Sequence, residues 1–245
     1  MVVKGTNLFI EKIFDSELKN HLNMLIYFYH LFENKHQSNN FCSTVFFNEL
    51  VNKVTIIKTN SNYYATHCSS KPFQPMILDE ARIQQWSASS IYKKIDALLR
   101  DTSPSKLEQR FLIAASFYVD AIQAVEDLKL LYSVIGLESL LSTKNDLKES
   151  GLSTNLAEKV AFLFSDNLKQ RLQIRKHIKN LYDYRSDVGH GKKRYDTIQE
   201  AHRAEDYLFH TMKLFLDKLN MPNGFREEED LDNWFLRKKM NSVNI

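Results

Sequence analysis

The feature that most constrains how this chain can fold is a succession of amphipathic stretches, opened by capping residues, that starts at Ser105. In the first stretch the apolar residues recur at three- and four-residue spacing, which places them on one face of an α-helix. They are Leu107, Phe111, Ala114, Ala115, Tyr118 and Ile122. Ser105 and Glu108 have the spacing of a capping box, in which each side chain binds the backbone N–H of the other residue. Because such faces are buried against one another, the sequence predicts a mainly α fold.

The second stretch, residues 125–142, is apolar almost all the way round, so it is predicted to be the central and most buried helix. Glu138 lies within it, and an ionised carboxylate in such surroundings requires a partner. A third helix is predicted from about Thr154, and a basic fourth helix precedes a final one that starts at Thr197. We therefore expect residues 104–221 to form a bundle of four to five helices.

The first 103 residues are predicted to form a separate N-terminal region, mostly helical and of unknown function, that ends where residues 101–104 interrupt the helical pattern. Its expected elements are, in order, a helix over residues 7–33, short strands or a small hairpin over 41–47 and 54–59, a polar irregular loop over 60–74 and a helix over 76–100. A C-terminal tail, residues 222–245, contains Trp234, Phe235 and Leu236 and is expected to dock on its own domain rather than on a partner.

Composition excludes several classes of protein. With 43% hydrophobic and 26% charged residues, a chain of 245 residues is large enough to bury a core and needs no disulfide staple. No apolar run approaches the roughly 18 residues that span a bilayer, so we expect a cytoplasmic protein without membrane contact. Cys42, His67 and Cys68 are too few for a metal site, and no phosphate-binding loop is present. We therefore expect neither a metal nor a cofactor.

One segment, residues 181–194, departs from the pattern of a routine helical protein. Arg185 lies in the middle of an apolar arc on the predicted fourth helix, among Ile174, Ile178, Leu181 and Val188. A guanidinium keeps its charge, so on a buried face it requires an anion or water, and Glu138 is the partner that the sequence offers. This pair is either an internal ion pair and nothing more, or a device that aims the guanidinium at a phosphate.

The same helix is predicted to end at His190, which Gly189 and Gly191 bracket. Histidine titrates near neutral pH and can act as acid or base. Between Leu168 and Arg194 the chain carries nine Lys or Arg and two acidic residues, although its net charge is only +3. This concentration is either a solvated helix face or a surface that follows phosphates. The candidate RNA-binding residues are Arg175, Lys176, Lys179, Lys192, Lys193 and Arg194.

Arg185 and His190 fit the pattern R-x-x-x-x-H, within the longer run Tyr-Asp-Tyr-Arg-Ser-Asp-Val-Gly-His-Gly. Together with a Leu-Glu-Ser-Leu-Leu helix at residues 137–141, this run resembles the HEPN (higher eukaryote and prokaryote nucleotide-binding) domains. The resemblance is to their Apea-like branch and covers about residues 104–221. The chain departs from another branch, in which a tyrosine stands where this chain has Lys192.

The resemblance implies a HEPN-like helical bundle and a metal-independent endoribonuclease that acts as a homodimer in antiviral defence or as a toxin. Its catalytic pair would be Arg185 and His190, supported by Glu138, Ser186 and Asp187. RNA cleavage requires a base, an acid and positive charge at the phosphate, and two chains would bring two of each side chain into one cleft. The expected partners are RNA, a second copy and a protein partner or antitoxin. The alternative is a non-catalytic HEPN-like module that binds RNA or nucleotides, or acts as a scaffold.

Overall fold

The computed structural model describes residues 7–32, 55–59, 62–66, 80–124, 126–146, 151–191, 198–219 and 224–243. The helices in these ranges are α1 (Asn7–Phe32), α2 (Glu80–Ala88), α3 (Ser90–Arg100), α4 (Lys106–Gln123), α5 (Glu126–Leu141), α6 (Leu152–Phe164), α7 (Leu168–Gly189), α8 (Ile198–Leu219) and α9 (Glu228–Val243). Two strands, β1 (Thr55–Thr59) and β2 (Asn62–Thr66), form the one sheet of the described residues. None of these helices is both long and apolar enough to cross a membrane. The predicted mainly α fold is confirmed.

Helix α5 occupies the centre of the bundle and packs against α4, α6, α7 and α8. Its buried side chains are Leu130, Ser133, Val134, Leu137, Leu140 and Leu141. Gly136 lets α8 approach closely, because a Cβ atom at that position would lie 2.6 Å from Leu208 Cδ2. The prediction that the helix over residues 125–142 is the central one is therefore confirmed, and the structure places this helix at residues 126–141.

Capping side chains determine where several helices begin. Ser105 and Glu108 form the predicted capping box at the start of α4, and Asn167 caps α7 by accepting a hydrogen bond from a backbone N–H three residues on. Ser89 caps α3 in the same way, so that α2 and α3 are separate helices. The helical pattern predicted over residues 76–100 is therefore confirmed over residues 80–100, where Ser89 divides it into two helices. A serine that bonds the backbone three residues on favours a helix start over a helix interior.

The N-terminal region contains an antiparallel hairpin of β1 and β2, in which Thr55 pairs with Thr66. The strand predicted over residues 54–59 is confirmed. Its partner lies inside the stretch predicted to be an irregular loop, and that prediction is wrong for residues 62–66, whose tyrosine and threonine side chains favour strands. The strand predicted over residues 41–47 lies outside the described residues, as do the thiols and the imidazole considered for a metal site.

Helix α1 packs against α4 and shares its core with the later helices. The Tyr27 ring meets the rings of Tyr118 and Phe209 edge to face, at centroid distances of 5.7 and 5.6 Å. His30 Nδ1 lies 2.8 Å from the Tyr118 hydroxyl oxygen, so a buried polar contact also joins α1 to α4. The domain boundary expected at residues 101–104 stays a prediction.

The C-terminal segment docks on its own chain, as expected, and it forms a helix, α9, that is absent from the elements predicted from the sequence. Phe225, Leu231 and Phe235 are buried against the bundle. Lys159 of α6 is fully buried, and it anchors α9 because its Nζ lies 3.3 Å from Asp232 Oδ1. The bundle therefore extends beyond the region over which the sequence predicted it.

Candidate active site

Helix α7 ends at Gly189, as predicted, and a hydrogen-bonded turn follows. The backbone N–H of His190 donates to the carbonyl oxygens of Ser186 and Asp187, at 3.0 and 3.2 Å. Gly191 then takes a φ of +73°, a left-handed conformation that glycine adopts without strain. Ser186 and Asp187 thus support the turn through their carbonyl groups, and the turn presents His190 at the surface.

Arg185 lies on the face of α7 that meets α5. Its Nη2 atom donates a hydrogen bond to Glu138 Oε2 at 3.3 Å, so the ion pair expected from the sequence is present. Both side chains are partly withdrawn from solvent, with 33% of Arg185 and 13% of Glu138 exposed. On the same face of α7, Ile178 and Leu181 are buried, which confirms the predicted apolar arc. Glu138 therefore holds the guanidinium against the bundle.

Tyr182, three residues before Arg185 on the same helix, joins the pair in a cluster of three side chains. The guanidinium carbon of Arg185 lies 5.7 Å from the centroid of the Tyr182 ring. Burial raises the pKa of the Glu138 carboxyl, although the charge of Arg185 and a hydrogen bond with Tyr182 act in the opposite direction. Burial and the Glu138 charge likewise raise the pKa of Tyr182. Tyr182 is not among the site residues predicted from the sequence, although its spacing of three residues from Arg185 indicates that the two side chains are neighbours.

Two polar atoms of this cluster, Glu138 Oε1 and Arg185 Nε, are buried without a hydrogen-bond partner among the described residues. A guanidinium carries five N–H donors, and one of them is used by Glu138. Buried polar groups are normally paired, so unpaired ones mark positions where water or a ligand group can bind. The cluster can therefore direct a fixed cation at an anion such as phosphate.

His190 is exposed, and its imidazole makes no hydrogen bond, ion pair or ring contact with a side chain in the described part of the chain. Five residues separate it from Arg185, which corresponds to about 140° around a helix axis and about 7.5 Å along it. Because Arg185 faces α5, His190 lies on a different side of α7. Within one chain the structure brings Arg185 together with Glu138 and Tyr182, and it does not bring Arg185 and His190 together.

The basic residues of α7 differ in how they are paired. Arg175 Nε lies 3.3 Å from Glu158 Oε1 on α6, so a neighbouring carboxylate compensates its charge. Lys176 is exposed and Lys179 is half-buried. The three basic residues at 192–194 lie outside the described residues. Of the expected RNA-binding residues in the described part of the chain, Lys176 and Lys179 therefore remain available to bind RNA.

No family model, curated protein or solved structure matches this chain. Among the residues that the structure describes, no group of three or more His, Cys, Asp or Glu side chains could hold a metal ion. The likeness to HEPN domains therefore rests on the residues of this chain alone.

Proposed function

We propose that the chain is a metal-independent endoribonuclease of HEPN type that acts on RNA through Arg185 and His190. The observation that carries this proposal is the Arg185–Glu138 pair, in which a carboxylate fixes a partly buried guanidinium that keeps unpaired donors. A fixed cation stabilises developing negative charge better than a mobile one, because it needs no reorganisation during the reaction. His190, exposed on the turn that follows, supplies the group that transfers protons.

The reaction is an attack by a 2′-hydroxyl oxygen on the adjacent phosphorus. A base takes the hydroxyl proton, the bond from phosphorus to the 5′-oxygen breaks, and an acid protonates the leaving oxygen. One product strand then ends in a 2′,3′-cyclic phosphate, and the other begins with a 5′-hydroxyl. An imidazole can take either proton-transfer role near neutral pH, and Arg185 binds the phosphate oxygens as negative charge develops on them.

The proposal includes a homodimer, because one chain offers one imidazole at this position while the reaction uses a base and an acid. Arg185 and His190 also lie on different sides of α7 within the chain. A two-fold axis near the ends of two α7 helices supplies two imidazoles and two guanidinium groups to a single cleft. RNA would then lie across both chains, with Lys176 and Lys179 binding its phosphates.

One observation favours a second function, and that is the position of Arg185 beside Glu138 rather than beside His190. If the pair is only an internal ion pair, the chain is a helical module that binds RNA or a nucleotide without cleaving it. The two functions share the basic face of α7 and differ in their need for His190. A cytoplasmic role in defence or as a toxin, with a protein partner or antitoxin, is compatible with both.

An RNA cleavage assay in EDTA separates the two functions. The parent chain should release fragments with cyclic phosphate ends, and His190→Ala should lower the rate at least about a hundredfold, because a proton-transfer group is lost. His21→Ala is the matched control, since His21 is also exposed but lies on α1. If the parent binds RNA without cleaving it, or if His190→Ala cleaves as fast as the parent, the nuclease proposal fails and the binding module replaces it.

Subunit mixing tests the shared cleft. When an excess of His190→Ala chains is mixed with the parent and allowed to exchange, activity should fall below that of the parent alone, because mixed dimers contain one imidazole per cleft. Sedimentation equilibrium should show a dimer at micromolar concentration. A monomer that retains full specific activity on dilution would contradict the dimer.

A further inference from the structure

A groove between α1 and α4 lies outside the proposed nuclease site. Its walls come from α1, from α4 and from the segment just before α4, none of which contains Arg185 or His190. The groove has a volume of about 380 Å³, which falls in the range of about 300–1,000 Å³ in which proteins bind small ligands. It is hereafter the α1–α4 groove, and it is lined by Lys19, Asn20, Asn23, Pro104, Gln109, Leu112, Ile113 and Ser116.

Asn23 is the polar side chain that distinguishes this groove. It is 1% exposed, and neither its amide nitrogen nor its amide oxygen has a hydrogen-bond partner among the described residues. Gln109 Nε2, by contrast, donates to the Pro104 carbonyl at 2.8 Å. Ser116 Oγ likewise donates to the Ile113 carbonyl at 2.8 Å. Because buried polar groups are normally paired, a buried amide whose donor and acceptor are both unused marks a position where a ligand group can bind.

A ligand can reach Asn23 because the side chains at the mouth of the groove are long and exposed. Lys19 lies one turn before Asn23 on α1, and a helical side chain covers the turn that precedes it, so the Asn23 amide lies on the side of Lys19. Lys19 and Gln109 are both exposed, and exposed side chains change rotamer within nanoseconds. The groove therefore connects a mouth that faces solvent with a buried amide.

Lys19 gives the groove a single positive charge. It is the one charged residue among those that line the groove, and it forms no ion pair within the described part of the chain. Burial raises the pKa of Asp120 on α4, and the charge of Lys19 acts in the opposite direction, so the ammonium group is near that helix. Asp120 offsets part of this charge without pairing with it. One incoming carboxylate therefore matches the groove better than a polyphosphate does.

The lining suits a peptide backbone better than a nucleobase. An amide side chain offers a donor and an acceptor side by side, and a residue of an extended peptide presents its N–H and C=O groups in the same way to a neighbouring strand. Leu112 and Ile113 provide an aliphatic wall beside this amide. Nucleobases stack on aromatic rings, and none of the residues that line the groove is aromatic.

We infer that the α1–α4 groove binds a short extended segment of a partner protein that carries an aliphatic side chain and a carboxylate. The N–H and C=O groups of one peptide residue pair with the Asn23 amide. The aliphatic side chain packs on Leu112 and Ile113, and the carboxylate lies beside Lys19. This carboxylate is either a free C-terminus or an acidic side chain.

The length of the groove limits how much peptide it holds. Its lining on α4 extends from Gln109 to Ser116, or about 10 Å along the helix axis, which corresponds to about three extended residues. Neighbouring side chains of an extended segment point to opposite sides, so one side chain enters the groove and those next to it point to solvent. The groove therefore recognises a short motif. This recognition requires no RNA cleavage, so the inference holds or fails independently of the proposed function.

Selection from a library of random short peptides, with the full chain as bait, provides the probe. One half of the library ends in a free C-terminus, and in the other half an uncharged linker follows the same random peptides. Enriched peptides should carry an aliphatic residue close to a carboxylate, which is the C-terminus in the first half or aspartate or glutamate in the second. The most enriched peptide is synthesised with a fluorescent label, and its Kd is measured by anisotropy. Conversion of its carboxylate to an amide should raise the Kd at least threefold.

Substitution of Asn23 separates binding from folding. Asn23→Leu keeps the approximate size of the side chain but removes its donor and acceptor, so it should raise the Kd at least tenfold. The variant should be no less stable to urea than the parent, because it removes a buried amide that has no partner among the described residues. An asparagine that only supports the fold would show the reverse, with lower stability and an unchanged Kd.

Two exposed positions of the groove provide matched pairs of variants. Lys19→Met should raise the Kd at least threefold, whereas Lys213→Met, at an exposed position of α8, should change it less than twofold. Ile113→Ser should also raise the Kd at least threefold, whereas Ile83→Ser, similarly exposed on α2, should change it less than twofold. These variants decide the test if circular dichroism shows that Asn23→Leu has lost helix.

Several outcomes overturn the inference. It fails if neither half of the library yields an enriched peptide, or if the enriched peptides lack a carboxylate. It also fails if Lys19→Met and Ile113→Ser bind the peptide as tightly as the parent does. If the chain binds no peptide but binds AMP or single-stranded RNA, and Asn23→Leu abolishes that binding, the groove is a nucleotide site and the inference is wrong.

Discussion

Two charged clusters lie on the neighbouring helices α6 and α7, and they differ in how completely they are paired. Lys159 is fully buried, and its Nζ donates to the Leu141 carbonyl at 3.1 Å and to Asp146 at 2.9 Å, besides its contact with Asp232. Arg185 is one third exposed, and its guanidinium donates to Glu138 while its Nε has no partner among the described residues. Both clusters join a cation to carboxylates, so the difference lies in what is left unpaired.

The two clusters differ in how many of the N–H donors of the cation are paired. The three N–H donors of an ammonium are fully used by the acceptors around Lys159, which connect α6 to α9 and to the loop after α5. The five donors of a guanidinium are not used up by Glu138. A closed cluster has nothing to offer a ligand and holds the fold together, whereas an open cluster can bind an anion. A cation whose donors are all paired therefore maintains the fold, whereas a cation with unpaired donors can bind a ligand.

Lys159→Met should have the largest effect, because it breaks the closed cluster. The side chain keeps its length, but Asp146 and Asp232 remain together without their cation, which should lower the free energy of unfolding by about 3–5 kcal/mol. Urea denaturation followed by circular dichroism measures this loss. Lys176→Met, at an exposed position of α7, is the control and should change the free energy by less than about 0.5 kcal/mol. A similar loss of unfolding free energy in both variants would mean that the Lys159 cluster stabilises the fold no more than an exposed lysine does.

Substitution of Arg185 should separate activity from stability. Arg185→Ala and Arg185→Lys should both lower RNA cleavage at least about a hundredfold, because lysine lacks the planar fork that binds two phosphate oxygens. The free energy of unfolding should fall by about 2 kcal/mol for Arg185→Ala, which leaves Glu138 unpaired, and by less for Arg185→Lys. Cleavage rates and urea denaturation of both variants provide the measurement. Variants that lose stability but keep full activity would make this cluster structural, like that of Lys159.

RNA affinity should depend steeply on salt, through Lys176 and Lys179 of α7 rather than the buried Lys159. Four or five phosphate contacts imply a log–log slope of about −3 for single-stranded RNA, and Lys176→Ala and Lys179→Ala should each reduce its magnitude by about 0.7. Lys213→Ala, at an exposed position of α8, should leave the slope unchanged. Filter binding over a series of salt concentrations tests this. An affinity that is independent of salt would exclude α7 as the RNA-binding surface.

The smallest effect concerns the protonation of Glu138. Burial raises the pKa of this carboxyl in the folded chain, so the folded state binds the proton more tightly than the unfolded state. The contribution of Glu138 to the free energy of unfolding is therefore greatest at low pH. It falls as the pH rises from the carboxyl pKa of the unfolded chain, about 4.3, through the raised pKa of the folded chain. Glu138→Gln should remove this decline. Urea denaturation of parent and variant at several pH values measures it, and identical pH profiles would contradict the prediction.

The parts of the candidate site that the sequence predicts are those that local patterns determine. A cation in an apolar arc and a carboxylate in an apolar helix each require a partner, and this requirement predicts the contact between Arg185 and Glu138. Glycines on either side of His190 predict the end of α7. The capping box at Ser105 is equally local, since it depends on residues three apart.

The parts that the sequence does not predict depend on contacts between distant segments. In the sequence Lys159 cannot be distinguished from an exposed surface lysine. It is buried because α9 and the loop after α5 cover it. The strand β2 is a different case, because its pairing with β1 is local and its tyrosine and threonine residues favour strands, although the polar residues around them indicate a loop. A contact between Arg185 of one chain and His190 of another would depend on an interface that spacing within one chain does not encode.

The burial of Lys159 also makes it a reporter of how α9 moves. Amine-acylating reagents modify lysines that water reaches, so the exposed Lys169 and Lys176 should react at once, while Lys159 reacts only when α9 lifts away. The rate at which this one amine gains mass, followed by peptide mass spectrometry, therefore gives the free energy of that local opening. An opening in which α9 stays helical would leave circular dichroism almost unchanged and be visible through the chemistry of a single side chain.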